Sequence, residues 1–355
     1  MAHTSRSIID INFFIMLYRS KAPLRIGLAG GGSDVSPYSD IYGGAILNAA
    51  ISLYAHANIK PLDEPKIILE SLERGEYQEF EIADFLPIDG TLDLLKGVYN
   101  RVRKDYMTEA KGFRLSTSVD VPAGSGLGTS STLVVAILGA FIEWLRLPMG
   151  SYDVAQYAYD IERVDLQMAG GKQDQYAATF GGVNYMEFYS DNKVIVNPLR
   201  IDKPHLYELE NNLLLYFTQT THVSSDIIKE QQKNVKENKS SSVEAMHKIK
   251  EQAKEMKEAL LTGRINHVGE IFDEGFVYKK QMAEAISNDL IDDIYATAKS
   301  AGASGGRISG AGGGGFMLFY CPDNRKFKVM EALRRFNGSF YPYRFVKDGL
   351  FTWNI

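Results

Sequence analysis

The chain has 355 residues, 45% of them apolar and 23% charged, the balance of an ordinary globular protein of about two domains. Its net charge of −5 leaves no footprint for nucleic acid, so any anionic ligand must be held by local groups. The single cysteine, Cys321, excludes an internal disulfide framework and fits a reducing compartment, and no apolar run reaches the length of a membrane span.

Residues 8–18 are apolar but interrupted by Asp10 and Asn12, and they lack a small-residue cleavage site. They do not read as a signal peptide. They form either an added edge strand or part of a tail over 1–15 ahead of Met16, and the tail is preferred. Residues 18–29 read as a strand with Pro23 as a bulge marker. Gly30, Gly31 and Gly32 follow, then Ser33 and Asp34. A second strand covers 43–60, a hairpin 67–82 with its turn near Arg74 and Gly75, a helix 92–106 and a strand 113–121. A buried helix follows over 133–145 and another over 152–168, capped by Ser151 or Asp153. The glycine-bounded stretch 170–182 leads to a strand over 183–188. A further strand is read at 213–218. Two charged helices fill 225–263, broken at 238–242, and another helix spans 290–301. After the glycine cluster 302–315 come a strand (316–320), a helix (326–336) and a last strand (339–346). A boundary near 198–204 divides two α+β lobes.

The stretch 119–133, VDVPAGSGLGTSSTL, organises the rest. A strand ends at Pro122, glycines follow at 124, 126 and 128, and Thr129, Ser130, Ser131 and Thr132 open the apolar helix. Glycines let backbone N–H groups converge on an anion, and a helix start adds unpaired donors. A hydroxyl there can bond phosphate or sit on Mg²⁺. No glycine loop matches G-x-x-x-x-G-K-[ST], which argues against a P-loop NTPase. Gly310, Gly312 and Gly315 fit G-x-G-x-x-G formally, but they run into a strand rather than opening a helix, which argues against a dinucleotide fold. This third cluster reads as a packing corner that can close over the phosphate loop. Asp174, in its glycine-bounded loop, and Glu162, on a helix end, supply two carboxylates. One can orient a substrate hydroxyl and the other hold Mg²⁺, the division of labour that phosphoryl transfer requires. Asp165 competes for either role.

Four segments in order resemble the GHMP kinase superfamily: KAPLRIGLAGGGSD (21–34), PAGSGLGTSST (122–132), GKQDQ (171–175) and RISGAGGGGF (307–316). The resemblance covers nearly the whole chain. Where galactokinases usually show Gly-Glu-His-Thr-Asp, this chain has Gly30-Gly31-Gly32-Ser33-Asp34. That looks like the D-glycero-D-manno-heptose 7-phosphate kinases, with the kinase part of L-fucokinases as the nearest rival. The resemblance implies a two-lobed α+β fold, with an N-terminal lobe like ribosomal S5 domain 2 (16–200) and a ferredoxin-like C-terminal lobe (201–355), and ATP between them.

Carried over residue by residue, Pro122, Gly124, Ser125, Gly126, Leu127, Gly128, Thr129, Ser130 and Ser131 hold ATP, and Ser130 and Glu162 hold Mg²⁺. The spacing from Glu162 to Asp174 looks one residue longer than in mevalonate kinase. Asp174 acts on the substrate hydroxyl, with Arg25 and Lys172 offsetting charge. Gly31, Gly32, Ser33, Asp34, Gly312 and Gly313 face the substrate side. An acceptor bearing its own phosphate brings about two negative charges, so extra cations are expected, with Lys172, Lys21, Arg163 and Arg307 as candidates. The implied protein is a cytoplasmic monomer or homodimer that binds a sugar phosphate and ATP and serves GDP-heptose and surface-polysaccharide synthesis. The rivals are a kinase for an unphosphorylated sugar and a catalytically dead sensor on the same scaffold.

Overall fold

In chain order the elements are β1 (Tyr18–Ala29), α1 (Tyr38–Tyr42), β2 (Gly44–Pro61), β3 (Lys66–Ser71), β4 (Glu76–Glu81), α2 (Asp93–Tyr106), β5 (Phe113–Val119), α3 (Thr129–Leu145), α4 (Ser151–Asp160), α5 (Gln173–Phe180), β6 (Val183–Phe188) and β7 (Val194–Pro198). The second half adds α6 (Lys203–Asn212), β8 (Leu213–Phe217), α7 (Ser224–Lys236), α8 (Ser240–Leu261), α9 (His267–Met282), α10 (Asp289–Ala301), β9 (Gly305–Ile308), β10 (Phe316–Tyr320), α11 (Lys326–Leu333), β11 (Ser339–Phe340) and β12 (Phe351–Asn354). The computed structural model describes residues 16–220 and 224–355, so the readings made for 1–15 lie outside the described residues.

β2 is the spine of the first sheet. Residues 44–49 pair with β6, residues 55–61 pair with β5, and β1 runs antiparallel along the opposite edge. The β1–β2 register shifts between Pro23 and Arg25, as Pro23 predicts, because proline cannot donate to the ladder. The order β12-β1-β2-β5-β3-β4 places the 66–81 hairpin at one edge, with β3 parallel to β5. One face of this sheet is covered by α2, α3 and α4, whose Val98, Val134, Ile137, Leu138, Phe141 and Ala158 pack with Phe113 of β5, all fully buried. α3 is apolar all round because it is buried on nearly every side, and each such aliphatic side chain contributes about 1.5–3 kcal/mol.

The second lobe is an antiparallel sheet, β11-β8-β10-β9, packed against α8–α11. A shared core joins the lobes: Leu24, Ile26, Leu28 and Leu127 pack with Leu213, Leu215, Phe272 and Phe316. This is the expected two-lobed α+β architecture, with several boundaries moved. β12 pairs with β1, so after β11 the chain returns to the first sheet. The strand read at 339–346 is a two-residue pairing, after which the chain crosses over by Ile51–Phe345. α4 stops at Asp160 and widens into a π-turn over Ile161–Asp165, ending short of residue 168; Gly150 is its N-cap, and its N–H donates to Asp153 Oδ2.

Candidate active site

Gly124, Gly126 and Gly128 have φ of +70°, +88° and +77°, a left-handed run that side-chain-bearing residues resist. The chain therefore coils tightly before α3 and presents the helix N-terminus, where Gly128 is the N-cap and no side chain among the described residues caps the first N–H groups. That is an anion seat by construction. Its shape is held by the other glycine-rich segments. The Gly126 carbonyl accepts Arg25 Nη1 at 2.8 Å and Ser309 Oγ at 2.9 Å. A Cβ on Gly310 would lie 2.7 Å from Gly126 Cα, and Phe316 N–H donates to the Ser125 carbonyl at 2.9 Å. The third cluster is thus packed directly on the second.

Asp174 stands in the first turn of α5, not in a loop; the span between Gly171 and Gly181 is long enough for two helical turns. Arg25 Nε and Nη2 both meet Asp174 Oδ1 at 2.7 Å, which leaves Oδ2 free of that clamp. Asp34 reaches the same helix start from the other side, and its Oδ2 accepts the Lys172 and Gln173 N–H groups at 2.8 and 3.0 Å. Burial raises the Asp34 carboxyl above its usual range, these N–H groups oppose that, and the neighbouring Asp174 adds to it. Glu162 is buried and accepts from Gln175 Nε2, which also donates to Ser131 Oγ at 3.0 Å.

These groups converge on a cavity of about 550 Å³ lined by Arg25, Gly31, Gly32, Asp34, Gly124, Gly126, Gly128, Thr129, Ser130, Ser131, Glu162 and Asp174. A smaller cavity of about 340 Å³ adjoins it through Ser130 and Met168 and is walled by Leu92, Leu95, Leu133 and Leu166. One carboxylate and one hydroxyl facing a space open to phosphate oxygens fit Mg²⁺, which takes few protein ligands and keeps water and phosphate.

Residues 93–182 match the family model for the GHMP kinases N terminal domain, and 256–338 match that for the GHMP kinases C terminal domain. A Campylobacter jejuni protein, D-glycero-alpha-D-manno-heptose 7-phosphate kinase, is 47% identical over 337 residues, 95% of this chain and 99% of its own. This chain belongs to the GHMP kinase family. The structure of a D-glycero-D-manno-heptose 1-phosphate kinase from Bacteroides thetaiotaomicron superposes on the GHMP kinase described here with a TM-score of 0.82 at 46% identity, covering 95% of this chain and 99% of that one. The L-fucokinase/L-fucose-1-P guanylyltransferase of Bacteroides fragilis is 26% identical, over 85% of this chain and 34% of its own.

Several residues expected at the site of this GHMP kinase lie elsewhere. Pro122 is exposed and off the cavity, and Leu127 is wholly buried in the core between the lobes. Ser125 is buried, its Oγ without a hydrogen-bond partner among the described residues. Ser33 spends its hydroxyl on the Gly30 and Ala45 carbonyls, closing the first glycine turn. Gly312 and Gly313 pack on Ile286, and Gly310 and Ala311 line the cavity in their place. Lys172 is buried and points away, its Nζ 3.7 Å from Asp40 and 5.8 Å from the Tyr159 ring centre. Lys21 lies over Tyr54. Arg163 lines the cavity beside Glu162, its Nε donating to the Gly171 carbonyl at 3.3 Å. A whole wall of the cavity carries no motif: Ser225, Ile228, Lys229 and Gln231 of α7 and Lys279 of α9. The spacing 225, 228, 229 is one helical face, but nothing in the sequence says what that face meets.

Proposed function

We propose that this GHMP kinase transfers the γ-phosphoryl group of ATP to the anomeric hydroxyl of D-glycero-D-manno-heptose 7-phosphate, giving the 1,7-bisphosphate in the cytoplasm for GDP-heptose and surface-polysaccharide synthesis. The observation that carries the substrate is the 47% identity, across nearly the full length of both chains, to the Campylobacter jejuni heptose 7-phosphate kinase. The 26% identity to an L-fucokinase keeps L-fucose as the second reading.

The N–H groups of Gly124–Gly128 and of the first turn of α3 hold the nucleotide phosphates, and the adjoining apolar cavity has the size and walls for a purine. Ser130 and Glu162 hold Mg²⁺, which neutralises phosphate charge when bound. Asp174 Oδ2, left open by the Arg25 fork, orients the acceptor hydroxyl and takes its proton as the P–O bond forms. Arg25 fixes that carboxylate and ties it to the phosphate loop, so acid and anion seat move as one body. Asp34, Gly31 and Gly32 border the sugar.

ADP release with Mg·ATP tests this against heptose 7-phosphate, heptose 1-phosphate, L-fucose, galactose and mannose. Turnover confined to the 7-phosphate is expected; turnover confined to a free sugar moves the substrate to the fucokinase side. Asp174→Asn should lower kcat about 10²- to 10⁴-fold, the usual loss of a proton acceptor. An Asp174→Asn protein at full turnover would remove Asp174 from the chemistry.

A further inference from the structure

Three cations stand together behind the first glycine turn, and only one has a carboxylate partner among the described residues. Arg25 pairs with Asp174. Arg307, on β9, packs its guanidinium against Phe272 and has a buried Nε without a hydrogen-bond partner among the described residues. Its Nη2 lies 3.4 Å from where a Cβ on Gly31 would sit. Lys279, on α9, is 4% exposed, lines the cavity and donates to the Ile308 and Gly310 carbonyls, which leaves one of its three N–H donors uncommitted. Burial, then the charge of Arg25, pushes Arg307 down to about 10, so it stays charged at neutral pH. Burial, then Arg307 and Arg25, lowers Lys279 well below the usual lysine range, with Asp34 opposing weakly. A protein interior holds such an excess of one sign at a cost, and an anion relieves it.

We propose that Arg307, backed by Lys279, receives the phosphate that the acceptor already carries, reached across the bare backbone of Gly31. This rests on the reading that the acceptor is a sugar phosphate. The nucleotide phosphates have their own seat on the 124–131 loop, where Arg25 and Ser309 meet Gly126. Arg307 instead stands one layer behind the wall: it does not itself line the cavity, but its Nη2 faces Gly31, which lines it together with Asp34 and Gln231. Of the other cations named from sequence, Lys21 lies over Tyr54, Lys172 is buried 3.7 Å from Asp40 and off the cavity lining, though its Nζ has no hydrogen-bond partner among the described residues, and Arg163 lines the cavity but beside Glu162, at the Mg²⁺ end. Any side chain at Gly31 would stand between the guanidinium and a ligand, so the glycine is what makes Arg307 available. A planar fork suits a phosphate dianion better than a point charge does.

The test compares heptose 7-phosphate with unphosphorylated heptose in wild type, Arg307→Gln, Arg307→Lys and Gly31→Glu. In Arg307→Gln the ratio of kcat/KM for the two sugars should fall about 10- to 100-fold, carried by KM for the phosphorylated sugar. Arg307→Lys should recover part of that ratio. Gly31→Glu removes no buried group and does not start from a left-handed φ, so it tests the same idea in a protein with its cations intact. It places a carboxylate against the guanidinium and should depress the ratio at least as much. Inorganic phosphate should compete with the acceptor in wild type and lose that competition in Arg307→Gln. Equal losses with both sugars, or a loss expressed in KM for ATP, would overturn the assignment. So would ratios unchanged in Arg307→Gln and Gly31→Glu when wild type prefers the phosphorylated sugar. A wild type that phosphorylates only free sugars overturns the substrate reading itself, a different result from either.

Discussion

Replacing Arg25 with lysine keeps a positive charge at the centre of the site and removes the fork. Arg25 makes three charge-assisted contacts: Nε and Nη2 to Asp174 Oδ1 at 2.7 Å, and Nη1 to the Gly126 carbonyl at 2.8 Å. A lysine ammonium can satisfy one of these two acceptors but cannot span both. Each lost contact to a charged group amounts to about 1.5–3 kcal/mol in a buried setting. Two are lost, but the Asp174 side chain is 22% exposed and recovers some hydration, and Ser309 Oγ still holds Gly126. A net loss of about 2–4 kcal/mol in positioning remains, equivalent to about 30- to 900-fold in kcat. The assay is ADP release at saturating ATP and acceptor, with thermal unfolding run alongside to show that the variant is folded. Arg25→Lys within about threefold of wild-type kcat would refute the reasoning, since charge alone would then suffice and the bridge between acid and phosphate loop would do nothing measurable.

Gly126→Ala forces a side chain into φ +88° and sets its Cβ 2.7 Å from the Ser309 carbonyl. Backbone strain of about 1–2 kcal/mol and a parted loop contact should raise KM for ATP about tenfold or more, measured against the Tm of the same protein. Far from the site, His267 lies between Glu255 and Glu270 at 2.7 and 2.6 Å; burial lowers its pKa, but the two glutamates outweigh burial and hold it above 6.5. A raised histidine stabilises the fold fully below its unfolded value, and that stability fades as pH climbs through the folded one. The Tm deficit of His267→Gln should therefore be largest near pH 6 and shrink as pH rises above 6.5 toward the folded pKa. A deficit independent of pH would show that the ring acts by packing alone.

The phosphate loop was readable because its chemistry is local: alternate glycines, a hydroxyl run and an apolar helix say what the backbone must do before any tertiary contact exists. The same holds for the corner at 310–315, whose need for bare backbone is met by Gly126 and Ser125 lying against it. Asp174 was legible as an acid but not as a helical residue, since glycines at both ends of a span do not reveal whether two helical turns fit between them. Residues matched by motif position fared by side-chain direction. Ser33, Leu127 and Lys172 sit within the matched segments, yet their side chains turn into the fold, and a motif does not encode which way a side chain leaves the backbone. Lys279 was invisible for another reason: an ordinary lysine near the end of an amphipathic helix becomes notable only when β9 and the first glycine turn are brought against it.

The pairing of β12 with β1 sets a schedule for synthesis. Tyr18 is among the first described residues to leave the ribosome and Asn354 among the last, yet they are partners in one ladder. At about 5–20 residues per second, the outer edge of β1 stays open for roughly 20–70 s while the rest of the chain is made. Through that interval the first sheet exposes unpaired backbone beside a growing nascent chain, a template on which another strand could add. Deleting residues 351–355 would leave the catalytic groups in place and make that exposure permanent, so its signature would be aggregation and chaperone dependence rather than a defect in turnover.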